Sequence, residues 1–167
     1  MASIKERMVQ ALRRSGLDVE DVEVSKNSQG YWEAHVGDVI LRVRRGEAWA
    51  CAGDEFGRGS CCSDKTGLSS IENILESAIY RRDIAKKIIS EVSRWTRMEA
   101  RSPSLTDEGT DILVSTPSGA IFWVVFSGRS FGRRESVFVS EVSTGDSSTK
   151  ETDLARELLY KVINSVL

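Results

Sequence analysis

The run Gly59-Ser-Cys-Cys-Ser-Asp-Lys-Thr66 comes nearest, in residue types and spacing, to a phosphate-binding loop of the form G-x-x-x-x-G-K-T. Such a loop turns several backbone N–H groups toward an anion, and its lysine reaches the outer phosphates. Asp64 stands in the place of the second glycine, which puts a carboxylate where amides should face negative charge. No parallel β-α-β unit surrounds the run either. Residues 53–67 therefore read as a glycine-rich connection, and a small enzyme using this loop is a second alternative to the reading below.

Cysteine chemistry has little more to build on. Cys51, Cys61 and Cys62 together with the single histidine, His35, would supply four zinc ligands by count, but no C-x-x-C or H-x-x-x-H spacing supports a site. An odd number of cysteines with a vicinal pair points to reduced thiols. No Gly-x-Ser-x-Gly elbow presents a nucleophile, and the carboxylate pairs Glu20–Asp21 and Asp107–Glu108 fall at turns, where solvated charge is the ordinary state. The sequence assigns no catalytic residue, no cofactor and no metal.

Arginine offers the strongest cluster. Arg42, Arg44 and Arg45 close one expected strand, and Arg129, Arg133 and Arg134 line the loop before another. Were those hairpins neighbours, the guanidinium groups would form a patch for an acidic protein surface or for phosphate. With Tyr31, Trp32 or Trp49 as stacking surfaces, that patch frames RNA or single-stranded nucleic acid as the first alternative function. The balance of 23 Lys and Arg against 25 Asp and Glu, a net charge of −2, argues against a dedicated duplex-DNA binder.

Three helices must carry these groups, each opened by a serine with glutamate three residues on, the reciprocal capping box. Ser3 with Glu6 opens a helix over 4–15 with Ile4, Met8 and Leu12 on one face, stopped by Gly16 and Leu17. Ser69 with Glu72 opens a long helix over 70–98, whose stripe runs through Ile71, Ile74, Leu75, Ala78, Ile79, Ala85, Ile88, Ile89, Val92 and Trp95. Ser148 with Glu151 opens the last, with Leu154, Leu158, Val162 and Val166 in line and Ala155, Leu159 and Ile163 beside them.

Between the helices the hydrophobic period falls to two, the mark of antiparallel meanders. Strands are predicted over 19–25, 31–36, 38–45 and 47–52, then 111–116, 120–127 and 135–143. Ile121-Phe-Trp-Val-Val-Phe126 is apolar on both faces, which predicts an interior strand covered on each side, with Trp123 in the core. Asp21-Val-Glu-Val-Ser25 and Asp111-Ile-Leu-Val-Ser115 echo one another, as do Phe56-Gly-Arg58 and Phe131-Gly-Arg133, though at different offsets. A weak internal duplication with halves 1–68 and 69–167 would account for them.

The expected architecture is one α+β domain over 1–167 with about seven strands, in the order α-ββββ-α-βββ-α. As topology alone, that order is similar to the small acidic secretion chaperones of bacteria, dimeric carriers of an extended partner chain. The resemblance, carried by no residue motif, implies a non-enzymatic protein-binding module: a carrier, an adaptor or an immunity-type partner. The N-terminal Met-Ala-Ser-Ile-Lys-Glu-Arg lacks an apolar run, which with reduced thiols points to the cytoplasm and away from membranes. The long helix would measure roughly 40 Å against roughly 20 Å for a strand, so a partner or a second copy is expected to cover part of its stripe, through residues such as Ile79 and Ile89.

Overall fold

Ser3 caps helix α1 (Ile4–Arg14) reciprocally: its Oγ accepts the Glu6 N–H at 3.2 Å, and its own N–H donates to Glu6 Oε2 at 2.8 Å. The helix stops where Gly16 enters the left-handed region at φ +81°, with Gly16 N–H donating to Arg13 O and Leu17 N–H to Leu12 O. That pair of bonds is the glycine-based stop expected from the sequence. These details come from a computed structural model that describes residues 2–53, 59–64 (backbone only), 70–102, 112–126 and 137–167. The chain is α+β, with antiparallel sheets, and divides between Arg82 and Asp83 into two compact units.

In the first unit, α1 is followed by β1 (Val24–Lys26), β2 (Trp32–Val36), β3 (Val39–Arg44), β4 (Glu47–Gly53) and β5 (Gly59–Asp64), hydrogen-bonded in that order. The β2–β3 hairpin closes on Gly37 at φ +59°, a backbone conformation that glycine adopts without penalty. One face of the sheet (Ala34, Val39, Leu41, Val43, Ala50) buries against Met8, Ala11 and Leu12 of α1. The first half of helix α2 (Ile71–Trp95) adds Ile71, Ile74, Leu75 and Ala78 to the same core.

The second unit takes up α2 from Asp83 and continues through β6 (Glu99–Arg101), β7 (Ile112–Ser115), β8 (Ile121–Phe126), β9 (Val137–Ser143) and α3 (Thr149–Val166). Its four strands pair in sequence order. Ile112, Val114, Phe122, Val124 and Phe126 form the inner face, against Ile84, Ala85, Ile88 and Val92 of α2 and Leu159, Val162 and Ile163 of α3. Ser148 and Glu151 form the second complete capping box.

Several expectations change. Residues 53–67 are not wholly a connection, since 59–64 form β5 on the edge of the first sheet. Gly-Ser-Cys-Cys-Ser-Asp lacks the aromatic residues and branched aliphatics that announce a strand, and pairing with β4 supplies what propensity does not. The short edge strand β6, Glu-Ala-Arg, was equally silent. Helix α2 takes its cap from Ser70, whose Oγ accepts the Asn73 N–H at 3.1 Å, one residue beyond the expected Ser69. It ends at Trp95 because Thr96 Oγ1 donates to Val92 O at 2.6 Å and accepts from Met98 N–H at 3.0 Å, drawing the chain off the helix.

The stripe of α2 is covered within the chain from Ile71 to Val92, while Trp95 at its end is exposed. Ile71 to Ala78 belong to one core and Ile84 to Val92 to the other, with Ile79 packed against the first and Ile89 against the second. The length of the stripe from Ile71 to Val92 is thus shared between two cores and does not by itself call for a second copy. Each unit runs helix, antiparallel meander, helix. Of the echoed segments, Val24 and Ser25 fall on β1, an edge, and Ile112 to Ser115 on β7, an interior strand, while Phe56-Gly-Arg58 and Phe131-Gly-Arg133 lie outside the described residues.

Candidate binding surfaces

On the first sheet, the face turned away from α1 carries Tyr31, Glu33, His35, Arg42, Arg44, Glu47 and Trp49, because side chains alternate along each strand. The arginines expected to present bare positive charge are paired. Arg42 Nε donates to Glu33 Oε2 at 2.5 Å, and its guanidinium lies 4.4 Å from the centroid of Trp49. Arg44 reaches Glu47 at 2.6 Å and lies 4.4 Å from the Tyr31 ring. Arg45, in the turn, is exposed. The rings that were to stack bases thus already carry cations of the same chain, guanidinium groups at Tyr31 and Trp49 and the ammonium groups of Lys5 and Lys26 at Trp32.

The carboxylate of Glu33 is the hub of this face. His35 Nε2 lies 2.7 Å from Oε1, and Asn27 Nδ2 and Arg42 Nε donate to Oε2. These bonds hold its pKa down at about 2, the His35 contact contributing most, against partial burial, which acts in the opposite direction. Tyr31 Oη donates to Glu47 Oε1 at 2.8 Å, a bond that raises the phenol's pKa. The polar groups of Tyr31, Glu33, His35, Arg42, Arg44 and Glu47 serve one another, which makes the face a charge-balanced network rather than an open cationic site. Arg129, Arg133 and Arg134, the other half of the expected patch, lie outside the described residues.

Cys51 is disulfide-bonded, which overturns the reading of reduced thiols. Residues 59–64 pair with β4 as β5, and its backbone register brings the segment that holds the other two cysteines alongside Cys51. The cytoplasmic expectation loses the support it drew from free thiols. Among the described residues, no three of His, Cys, Asp and Glu come together in a way that would hold a metal ion, and no helix is long and apolar enough to cross a membrane.

The second sheet presents the opposite character. Facing away from α2 and α3 are Leu113 on β7, Ile121, Trp123 and Val125 on β8, and Phe138 on β9. Trp123 pairs with Leu113 on one side and Ser140 on the other, and Phe138 pairs with Val125. Trp123 is 40% exposed, Phe138 54% and Val142, beside a bulge in the β8–β9 ladder, 45%. The strand expected to be buried on both faces is buried on one. Two aromatic rings and three aliphatic side chains make a continuous apolar face of the kind that marks interaction sites.

Sequence reasoning missed this face because apolar residues on both sides of β8 are compatible equally with a second protein layer or with an absent partner. The alternation in Val137-Phe138-Val139-Ser140 was the available clue, since it places Phe138 opposite the core-facing valines. No family model, characterised protein or solved structure matches this chain.

Proposed function

We propose that this chain is a non-enzymatic protein-binding module that holds a partner polypeptide against the open face of its second sheet. The observation that carries the reading is the pair Trp123 and Phe138, exposed on neighbouring strands and flanked by Leu113, Ile121 and Val125. Large aromatics are the residues from which interfaces draw most of their affinity, and they are costly to leave in water. Docking on the face is favoured over adding a strand at the β9 edge, because the Val139 N–H already donates to Tyr160 Oη at 3.2 Å. A carrier or an adaptor fits this reading equally. A homodimer formed face to face would use the same residues.

Affinity capture from the native host, run in parallel with wild type and a Trp123→Ser/Phe138→Ser variant, tests the proposal. A partner retained by wild type and lost by the variant, with the variant's melting behaviour preserved, supports it. Identical capture by both would sink it. The nucleic-acid alternative draws no support from the first sheet, whose Arg42 and Arg44 are balanced by Glu33 and Glu47. The enzyme alternative is weakened by β5, because a backbone paired in a ladder cannot wrap a phosphate.

A further inference from the structure

On β6, Ala100 packs into the second core, so Glu99 and Arg101 on either side of it point to the opposite face, the one that carries Trp123 and Phe138. Both are exposed, and among the described residues neither side chain is in an ion pair. The register sets Arg101 level with Leu113 and Trp123, and Glu99 level with Ser115 and Ile121. The described part of this face therefore carries one positive and one negative charge, both on its β6 margin, beside an otherwise neutral and largely apolar surface.

A face of zero net charge gives a strongly acidic or basic partner nothing to recognise, whereas it matches its own image. A two-fold axis laid across the strands at the level of Ala100, Val114 and Phe122 sets a second copy over the first with its strands reversed. Glu99 then faces the partner's Arg101, Arg101 faces the partner's Glu99, and Ile121 faces the partner's Trp123. Packed sheets lie about 10 Å apart, a gap that a glutamate and an arginine side chain together span. Given that the face docks a polypeptide, we infer that this polypeptide is a second copy of the chain, held as a two-fold sheet-on-sheet dimer with Glu99–Arg101 pairs at its margin. Removing Trp123 of both copies from water drives the contact, and the charge pairs fix its register.

Sedimentation equilibrium of the full chain across the micromolar range tests this, with wild type expected to run as a dimer. Glu99→Arg sets arginine against arginine at the margin and Arg101→Glu sets glutamate against glutamate, so each variant alone should dimerise about tenfold or more weakly. An equimolar mixture of the two variants restores an opposite-charge pair at both margins and should regain wild-type affinity, as should the chain carrying both substitutions. Trp123→Ser with Phe138→Ser should be monomeric. Glu99 and Arg101 are exposed, so reversal keeps the fold, which thermal melting checks. A monomeric wild type overturns the inference, and so does a dimer indifferent to single reversal or a mixture no tighter than either variant. A monomer that still captures a foreign protein through Trp123 and Phe138 leaves the docking reading standing, whereas a monomer that captures nothing there removes both.

Discussion

Phe122 and Trp123 are neighbours on one strand with opposite surroundings, and replacing each by alanine measures which side of the second sheet is covered. Phe122 is 0% exposed, packed between the sheet and two helices, so Phe122→Ala removes a fully buried ring and leaves a cavity. The cost is about 3 to 5 kcal/mol. Trp123 is 40% exposed, and its neighbours on that face are cross-strand partners, Leu113 and Ser140. Each such pair contributes roughly 0.2 to 1 kcal/mol, so Trp123→Ala should cost about 1 to 2 kcal/mol. With a urea dependence of about 2 kcal/mol per molar, the midpoint falls by about 2 M for Phe122→Ala and by about 0.5 to 1 M for Trp123→Ala. Urea titration followed by circular dichroism reads both, with an unchanged slope as the check that the denatured states are comparable. Equal losses would mean that the Trp123 face is covered within the chain, and the proposed docking surface would be core.

Three further outcomes follow from local geometry. Gly145 sits at φ +54°, and a Cβ there would lie 2.5 Å from the carbonyl carbon and oxygen of Gly119, so Gly145→Ala should cost about 3 kcal/mol, whereas Gly46→Ala, at φ +77° in open space, should cost about 1 kcal/mol; thermal melts of the two separate steric blockage from backbone strain alone. The Glu33 carboxylate, held at about 2 against an ordinary 4.5, stabilises the fold above pH 4.5 and loses that contribution as pH falls toward 2. The ceiling is about 3 kcal/mol, reduced by its partial solvation, so Glu33→Gln should flatten the acid limb of a pH–stability curve, and an unchanged limb would contradict the network. Cys51→Ser, which removes the disulfide, should lower stability by about 2 to 4 kcal/mol, and thiol titration before and after reduction checks that the bond is present.

The elements that could be read from the sequence are those whose signals are local. The capping boxes at Ser3 and Ser148, the glycine stop at Gly16 and the Gly37 hairpin each satisfy their backbone groups within a few residues, and each stands where expected. Strand β5 was hidden because its residues have no strand preference of their own and are held by β4 across the ladder. The disulfide of Cys51 was hidden with it, since only that pairing brings the other two cysteines beside β4. Charge balance was hidden for the same reason. Arg42 and Arg44 look like a cationic patch in one dimension, while Glu33 and Glu47, which balance them, arrive from neighbouring strands or across a turn. For the candidate docking face, the period-two pattern identified β8 and its apolar character, but coverage is a property of the assembled layers.

The central claim is that a partner polypeptide rests on the open face beside Trp123, and site-specific photo-crosslinking in the native host tests it most directly. A photoreactive phenylalanine analogue placed at Ser140, exposed and directly across from Trp123, reaches that face without removing either aromatic ring. The same analogue at Arg45, in an exposed turn of the first sheet, serves as the control position. The account predicts a discrete protein adduct from Ser140, absent from Arg45 and abolished by Trp123→Ser with Phe138→Ser. Adducts of equal yield from both positions, or none from Ser140 while the chain is folded, would contradict it.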